Sequence, residues 1–275
     1  MPSDTVTSET EAGGAAAGAP ASELPTETVA GTPLVLGDYD SVMDWMDEVI
    51  ASGEQARLSA ATVHLVMGAR EDPETAIALD GCVMVPDGQP LVWALNALGH
   101  DGASRVYGPE LMSRYCERSA HTGVPMYLYG GRDQPSLDLL IGELERRYPG
   151  LNIVGSYCPP FRPLDEAERR DVTEEIAESG AQVVWVGIGQ PKQEHWMSQM
   201  RSEVGPVLMV GVGAAFDFHA GLVRQAPAWM QGLGLEWLYR LTQEPKRLWA
   251  RYARYNPLFI AAFARQYLKL RHSQR

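Results

Sequence analysis

Residues whose types suit phosphate and sugar chemistry crowd into the stretch from Val186 to Leu248, which reads VGIGQPKQEHW, then VGVGAAFDFHAGLVRQAPAW, then GLEWLYRLTQEPKRL. A buried-strand pattern, Val183, Val184, Trp185 and Val186, runs directly into Gly187 and Gly189 and then into Gln190, Lys192, Gln193 and Glu194. Side chains at the carboxyl end of a strand in an open parallel sheet face the ligand crevice. There the amides of Gln190 and Gln193 suit a uracil edge or sugar hydroxyls, and Lys192 suits a phosphate. A helix beginning after Pro191 adds its positive end. The second block repeats the design, with an apolar run from Val207 to Val212, then glycines, then Asp217, His219 and Arg224. Two strand ends that open into glycine and charge read as one binding site.

Three further positions carry chemistry. Asp87 follows Cys82-Val83-Met84-Val85 and precedes Gly88, which puts a carboxylate at a strand-to-helix turn. It reads either as a helix cap or as a general base that takes a proton from an attacking hydroxyl. His64, in Thr62-Val63-His64, is either a hydrogen-bonded histidine at a strand end or a group that contacts substrate or assists Asp87. Arg105 is either a surface ion-pair partner or a guanidinium able to hold a diphosphate through two parallel hydrogen bonds. The Gly130-Gly131 pair at the end of another apolar run offers backbone N–H groups to phosphate. Without a G-x-G-x-x-G this is not a dinucleotide fingerprint.

These groups need elements to position them. Short apolar runs, Thr62–Met67, Cys82–Val85, Met126–Tyr129, Asn152–Ser156, Gln182–Val186 and Val207–Val210, are expected as strands. The amphipathic stretches between them, Gln89–Leu98, Glu110–Thr122, Pro135–Tyr148, Asp165–Ser179 and Pro191–Glu203, are expected as helices, the fourth with Asp165 as its N-cap. The alternation indicates an α/β fold with a Rossmann-like, mostly parallel sheet and flanking helices. Residues 1–30 hold no aromatic residue, Lys or Arg and are expected to be a disordered tail. Lacking a basic and an apolar segment, that tail is not read as a secretory signal. The α/β domain is placed at 31–240 and a helical appendage at 241–275.

Composition narrows the classes. With 45% apolar residues the chain can bury a full core, and no run is long enough to span a bilayer. Cys82, Cys116 and Cys158 lack metal-ligand spacing and fit a reducing compartment. Residues 240–275 carry nine Lys or Arg against the single acid Glu244, a net +8 that leaves −20 for the rest of a chain whose total is −12. An acidic body opposes nucleic acid, whereas a basic helical tail suits an anionic surface. Leu248, Tyr252, Tyr255, Phe259 and Phe263 recur at helical spacing on one face of that tail, with Arg247, Arg251 and Arg254 on another. The aromatic face is either packed on the domain or laid on a bilayer, with the arginines toward headgroups. Pro257 is expected to kink or interrupt the helix.

Four ordered motifs resemble the WecG/TagA/CpsF glycosyltransferase family, glycosyltransferase family 26. They are Pro86-Asp87-Gly88, Gly189 to Trp196, Ala215 to Trp229 and Gly234 to Leu248, within a span from about Pro33 to about Tyr255. The resemblance implies a GT-E-like fold and an inverting, metal-independent transferase with no cofactor. Its substrates would be a UDP-sugar donor, with N-acetylmannosamine, glucose or a similar sugar, and a saccharide carried on a polyprenyl diphosphate. It makes Asp87 the base and has Thr62, His64, Arg105, Gln190, Lys192 and Gln193 line the donor and acceptor site. Arg240, Arg247 and Arg251 would grip the acceptor's diphosphate. His64 stands where family members carry Asn, which puts the donor sugar in question. The resemblance further implies a cytoplasmic protein, peripheral on the inner face of the membrane and prone to self-association. A UDP-sugar hydrolase on the same scaffold and a catalytically silent membrane-docking protein are the rival readings.

Overall fold

The computed structural model describes residues 21–227, 229–230 and 234–273, apart from the side chain of Arg247. It opens with a hairpin, β1 (Thr26–Val29) paired antiparallel with β2 (Thr32–Val35). The expected tail is therefore too long at its carboxyl end. Val29 is fully buried and its strand is held by β2, so pairing and burial outweigh the polar composition of Thr26–Thr28. Residues 1–20 of that expected tail lie outside the described residues.

The body is a six-stranded sheet of order β4-β3-β8-β7-β5-β6, every pair parallel. Its strands are β3 (Ala56–Ala61), β4 (Val83–Pro86), β5 (Met126–Gly130), β6 (Ile153–Tyr157), β7 (Val183–Gly187) and β8 (Leu208–Gly211). Helices cover both faces, as parallel strands buried on two sides require. They are α1 (Tyr39–Ser52), α2 (Val63–Glu71), α3 (Pro73–Leu79), α4 (Gln89–Ala97), α5 (Gly108–Thr122), α6 (Gln134–Arg147), α7 (Glu166–Glu178), α8 (Lys192–Met200) and the short α9 (Ala215–His219). Asp165 caps α7 in a capping box with Glu168, as its spacing predicts.

One expected strand is a helix. Thr62–Met67 does not extend a strand; Thr62 is the N-cap of α2, its hydroxyl accepting from Leu65 N at 3.3 Å. The strand is the preceding Ala-Arg-Leu-Ser-Ala-Ala of β3, which has no β-branched residue but sits between β4 and β8. The apolar run Val63, Leu65, Val66 and Met67 is too short for its period to tell helix from strand.

After residue 234 the chain is helical: α10 (Glu236–Gln243), then α11 (Pro245–Ser273). The appendage thus begins earlier than the boundary expected at 241. Pro257 does not interrupt α11. The turns around it are pinned, because Tyr255, Phe259 and Phe263 pack on a cluster that includes Leu65, Met67 and Leu91. Gln266 adds bonds to Thr28 O at 2.6 Å and from Ala30 N at 2.7 Å, and Arg254 pairs with Glu71 at 2.8 Å. The aromatic face of the tail is therefore domain core and is not free to meet a bilayer. Among the described residues no helix is long and apolar enough to cross a membrane.

Candidate active site

The carboxyl ends of the strands carry two neighbouring hollows. The smaller, about 140 Å³, lies beyond β3 and β4 under the start of α10 and α11. The larger, about 820 Å³, spreads over β5, β7 and β8. Because β3 pairs with β8, the two sit side by side.

Asp87 lies in the smaller hollow. Pro86 ends β4, and the Asp87 and Gly88 N–H groups both donate to Ala61 O, at 3.0 and 3.1 Å, turning the chain into α4. The carboxylate does not cap that helix, whose N-cap Gly88 makes no side-chain bond. It accepts instead from Gly108 N, the first amide of α5, at 2.9 Å. Burial pushes its pKa up from the ordinary 3.8 to about 6; Glu236 pushes the same way, against Arg105, the Gly108 amide and Arg240. A carboxyl poised there can accept a proton near neutral pH while staying ionised enough to begin the reaction.

Arg105 joins Asp87 to the appendage. Its Nε donates to Asp87 O, its Nη1 pairs with Glu236 at 2.9 Å, and its guanidinium lies over the Tyr107 ring, 4.3 Å from the centroid. It is a partly buried ion-pair partner, with its side chain 18% exposed. Thr62, His64, Arg240 and Arg251 line the same hollow. Arg240 also stands 5.5 Å from the centre of the Phe218 ring. His64 packs edge-on against Tyr255, 4.8 Å between centroids, and burial, then Arg251, lowers its pKa to about 4. A neutral imidazole at working pH can hydrogen-bond a substrate, but it is a much weaker base than its free pKa suggests. The side chain of Arg247 lies outside the described residues.

The Gln190–Glu194 cluster divides. Lys192 lines the larger hollow with Gly131, Arg132, Gly189, Gly213 and Asp217. Gln190 is on neither lining; it accepts from Thr62 Oγ1 at 2.7 Å and donates to Ala60 O at 2.7 Å. Gln193 lines neither; it is fully buried, its Oε1 accepting from Gly213 N at 3.0 Å and its Nε2 donating to Glu194. Once the chain turns helical at Lys192, consecutive side chains diverge by about 100°. Residues 192, 193 and 194 cannot all face one ligand.

The floor of the larger hollow is built for close approach. At Gly130, with φ 147°, a Cβ would meet Gly187 O at 2.7 Å, so only glycine allows the two strand ends to touch. Arg132 and Asp217 face each other as a two-bonded pair at 2.8 and 3.0 Å. Asp217 is thus engaged by a cation of the chain itself. Phe161 stands on the rim between prolines, 87% exposed.

Glu236 and Tyr107 also belong to the Asp87 hollow, although their residue types alone did not single them out. The signal for Glu236 is its place in Gly234-Leu235-Glu236-Trp237, within the same block as Arg240. One protein-family model, described as the glycosyl transferase WecG/TagA/CpsF family, matches residues 27–273.

Proposed function

The chain belongs to the WecG/TagA/CpsF glycosyl transferase family, whose members build cell-surface polysaccharide, and on that premise we propose that it moves a sugar from a UDP-sugar to a saccharide on a polyprenyl diphosphate, with inversion and without a metal. The observation that carries this reading is Asp87, a carboxylate with a raised pKa in a hollow that Arg105, Arg240 and Arg251 share. The larger hollow takes the nucleoside diphosphate. Gly131, Gly189 and Gly213 let backbone approach the phosphates, and Lys192 and Arg132 offset their charge as the sugar leaves. The acceptor's hydroxyl reaches Asp87 from the smaller hollow, its diphosphate held by Arg240 and Arg251. Asp87 takes the hydroxyl proton as the oxygen attacks the anomeric carbon and the bond to UDP breaks from the opposite face. One carboxylate suffices, because no covalent sugar–enzyme intermediate forms.

Thr62, bonded to Gln190, borders the acceptor beside Asp87. The protein works at the inner face of the cytoplasmic membrane, with the exposed side of α11 toward anionic lipid. UDP release from a panel of UDP-sugars, with and without a short polyprenyl-diphosphate saccharide, tests the reading. Turnover should require the acceptor and fall about 10²- to 10⁴-fold in Asp87→Asn. Rapid UDP release without acceptor would instead identify a hydrolase.

A further inference from the structure

Behind both hollows lies a buried carboxyl that the proposed chemistry does not use. Glu194 is fully buried near the start of α8. Its Oε1 accepts from Ser59 Oγ of β3 at 2.6 Å and from Gln193 Nε2 at 2.9 Å. Its Oε2 has no hydrogen-bond partner among the described residues, although the Gln190 side chain is close enough to favour its charge. A carboxyl enclosed this way is costly unless its bonds accomplish something apolar packing cannot.

Each bond from this carboxyl leads to an edge of the site. Gln193 holds the amide of Gly213, which lines the larger hollow. Ser59 anchors the group to β3, whose end leads directly to Thr62 in the smaller hollow beside Asp87. Gly211 of β8 makes room, since a Cβ there would lie 2.7 Å from Gln193 Nε2.

We propose that Glu194 is a positioning residue that fixes the two hollows relative to each other, by tying Ser59 of β3 and Gln193 to one buried carboxyl. The inference rests on the transferase reading, in which a sugar must pass between the hollows. Displacing reacting groups by an ångström costs about 10²-fold in rate, whereas binding of either substrate alone does not require their alignment.

The test uses the full chain with Glu194→Ala, Glu194→Gln and Ser59→Ala, reading kcat for sugar transfer and UDP affinity by calorimetry. In Glu194→Ala, kcat should fall about 10²-fold while the UDP Kd stays within about threefold. Glu194→Gln, whose amide oxygen can accept the same two bonds, should recover most of that loss. Ser59→Ala, which removes one tie with little volume, should fall between them and serves if Glu194→Ala does not fold. An unchanged kcat in Glu194→Ala and Ser59→Ala would overturn the proposal, and so would loss of UDP binding in parallel with kcat in all three. Hydrogen exchange at the Gly213 amide needs no turnover, so it separates this idea from the transferase reading. Exchange should quicken in Glu194→Ala and Ser59→Ala, and unchanged protection would overturn the proposal even in a chain that transfers nothing.

Discussion

Asp87 sits among opposed charges, and their balance predicts how activity responds to acid. With its pKa near 6, the ionised form needed to take a proton is lost as pH falls through that value, so kcat/KM should decline below about pH 6. Glu236 raises the Asp87 pKa. Glu236→Gln should therefore move this acid limb to lower pH, even if freeing Arg105 reduces the maximum rate. A limb that stays fixed would belong to another group. His64 is not that group, since its pKa of about 4 leaves it neutral throughout this range. The raised pKa also bears on stability. The folded state holds a proton on Asp87 more tightly than the unfolded chain does, so this group favours folding below its ordinary 3.8 and loses that contribution as pH rises through about 6. Asp87→Asn, whose side-chain oxygen can still accept from Gly108, should therefore melt at or above the wild-type temperature at pH 7.5 while losing activity. A marked fall in Tm would mean the ionised carboxylate supports the fold.

Elements differ in how plainly the sequence announces them. β5, β7 and β8 are legible because each is a compact apolar run between turn residues, and α7 because Asp165 and Glu168 mark its start. β3 is not legible, since its strand character comes from its two neighbours rather than from Ala, Arg and Ser. For the site, Lys192 is legible from strand-end position and charge, whereas Asp87 as the base and Arg105 as a site residue depend on the family motifs. The inward turn of Gln193 and the reach of Glu236 depend on helix phase and on long-range packing, which local spacing does not encode. Two glycines test whether packing or propensity governs an element. In β8, Gly211→Ala pushes a methyl against Gln193 and should cost about 1–3 kcal/mol in denaturant unfolding. In α6, Gly142→Ala meets open space at a helical position and should stabilise by about 0.5–1 kcal/mol. Equal effects at the two sites would contradict the tight fit at Gly211.

At the scale of the molecule, the basic tail has two unlike sides. Its inner side is core: Leu248 and Phe259 are buried, and Gln266 ties it to the hairpin. Removing 245–275 would therefore uncover apolar surface on the domain and confuse membrane binding with folding. Its outer side mixes Trp249 at 65% exposed, Ile260 at 67% and Leu268 at 56% with the exposed Lys246, Arg265 and Lys269. Such a face can sink rings and aliphatic chains among headgroups while its cations meet anionic lipid. If the proposed membrane docking holds, the acidic remainder of the chain, at −20, would orient the molecule with this side toward the membrane. Substituting Trp249, Ile260 and Leu268 together by Ala removes the apolar grip without touching the packed side. Stability should change by no more than about 0.5 kcal/mol per site, as for other surface positions, while co-sedimentation with phosphatidylglycerol vesicles falls sharply. Lys246, Arg265 and Lys269 changed to Gln should instead weaken binding most at low salt, where their attraction is least screened. If both triple variants sediment with vesicles like the wild type, the outer face of this helix is not the docking surface. Membrane docking would then have to use another exposed apolar side chain, such as Trp229 at 63%.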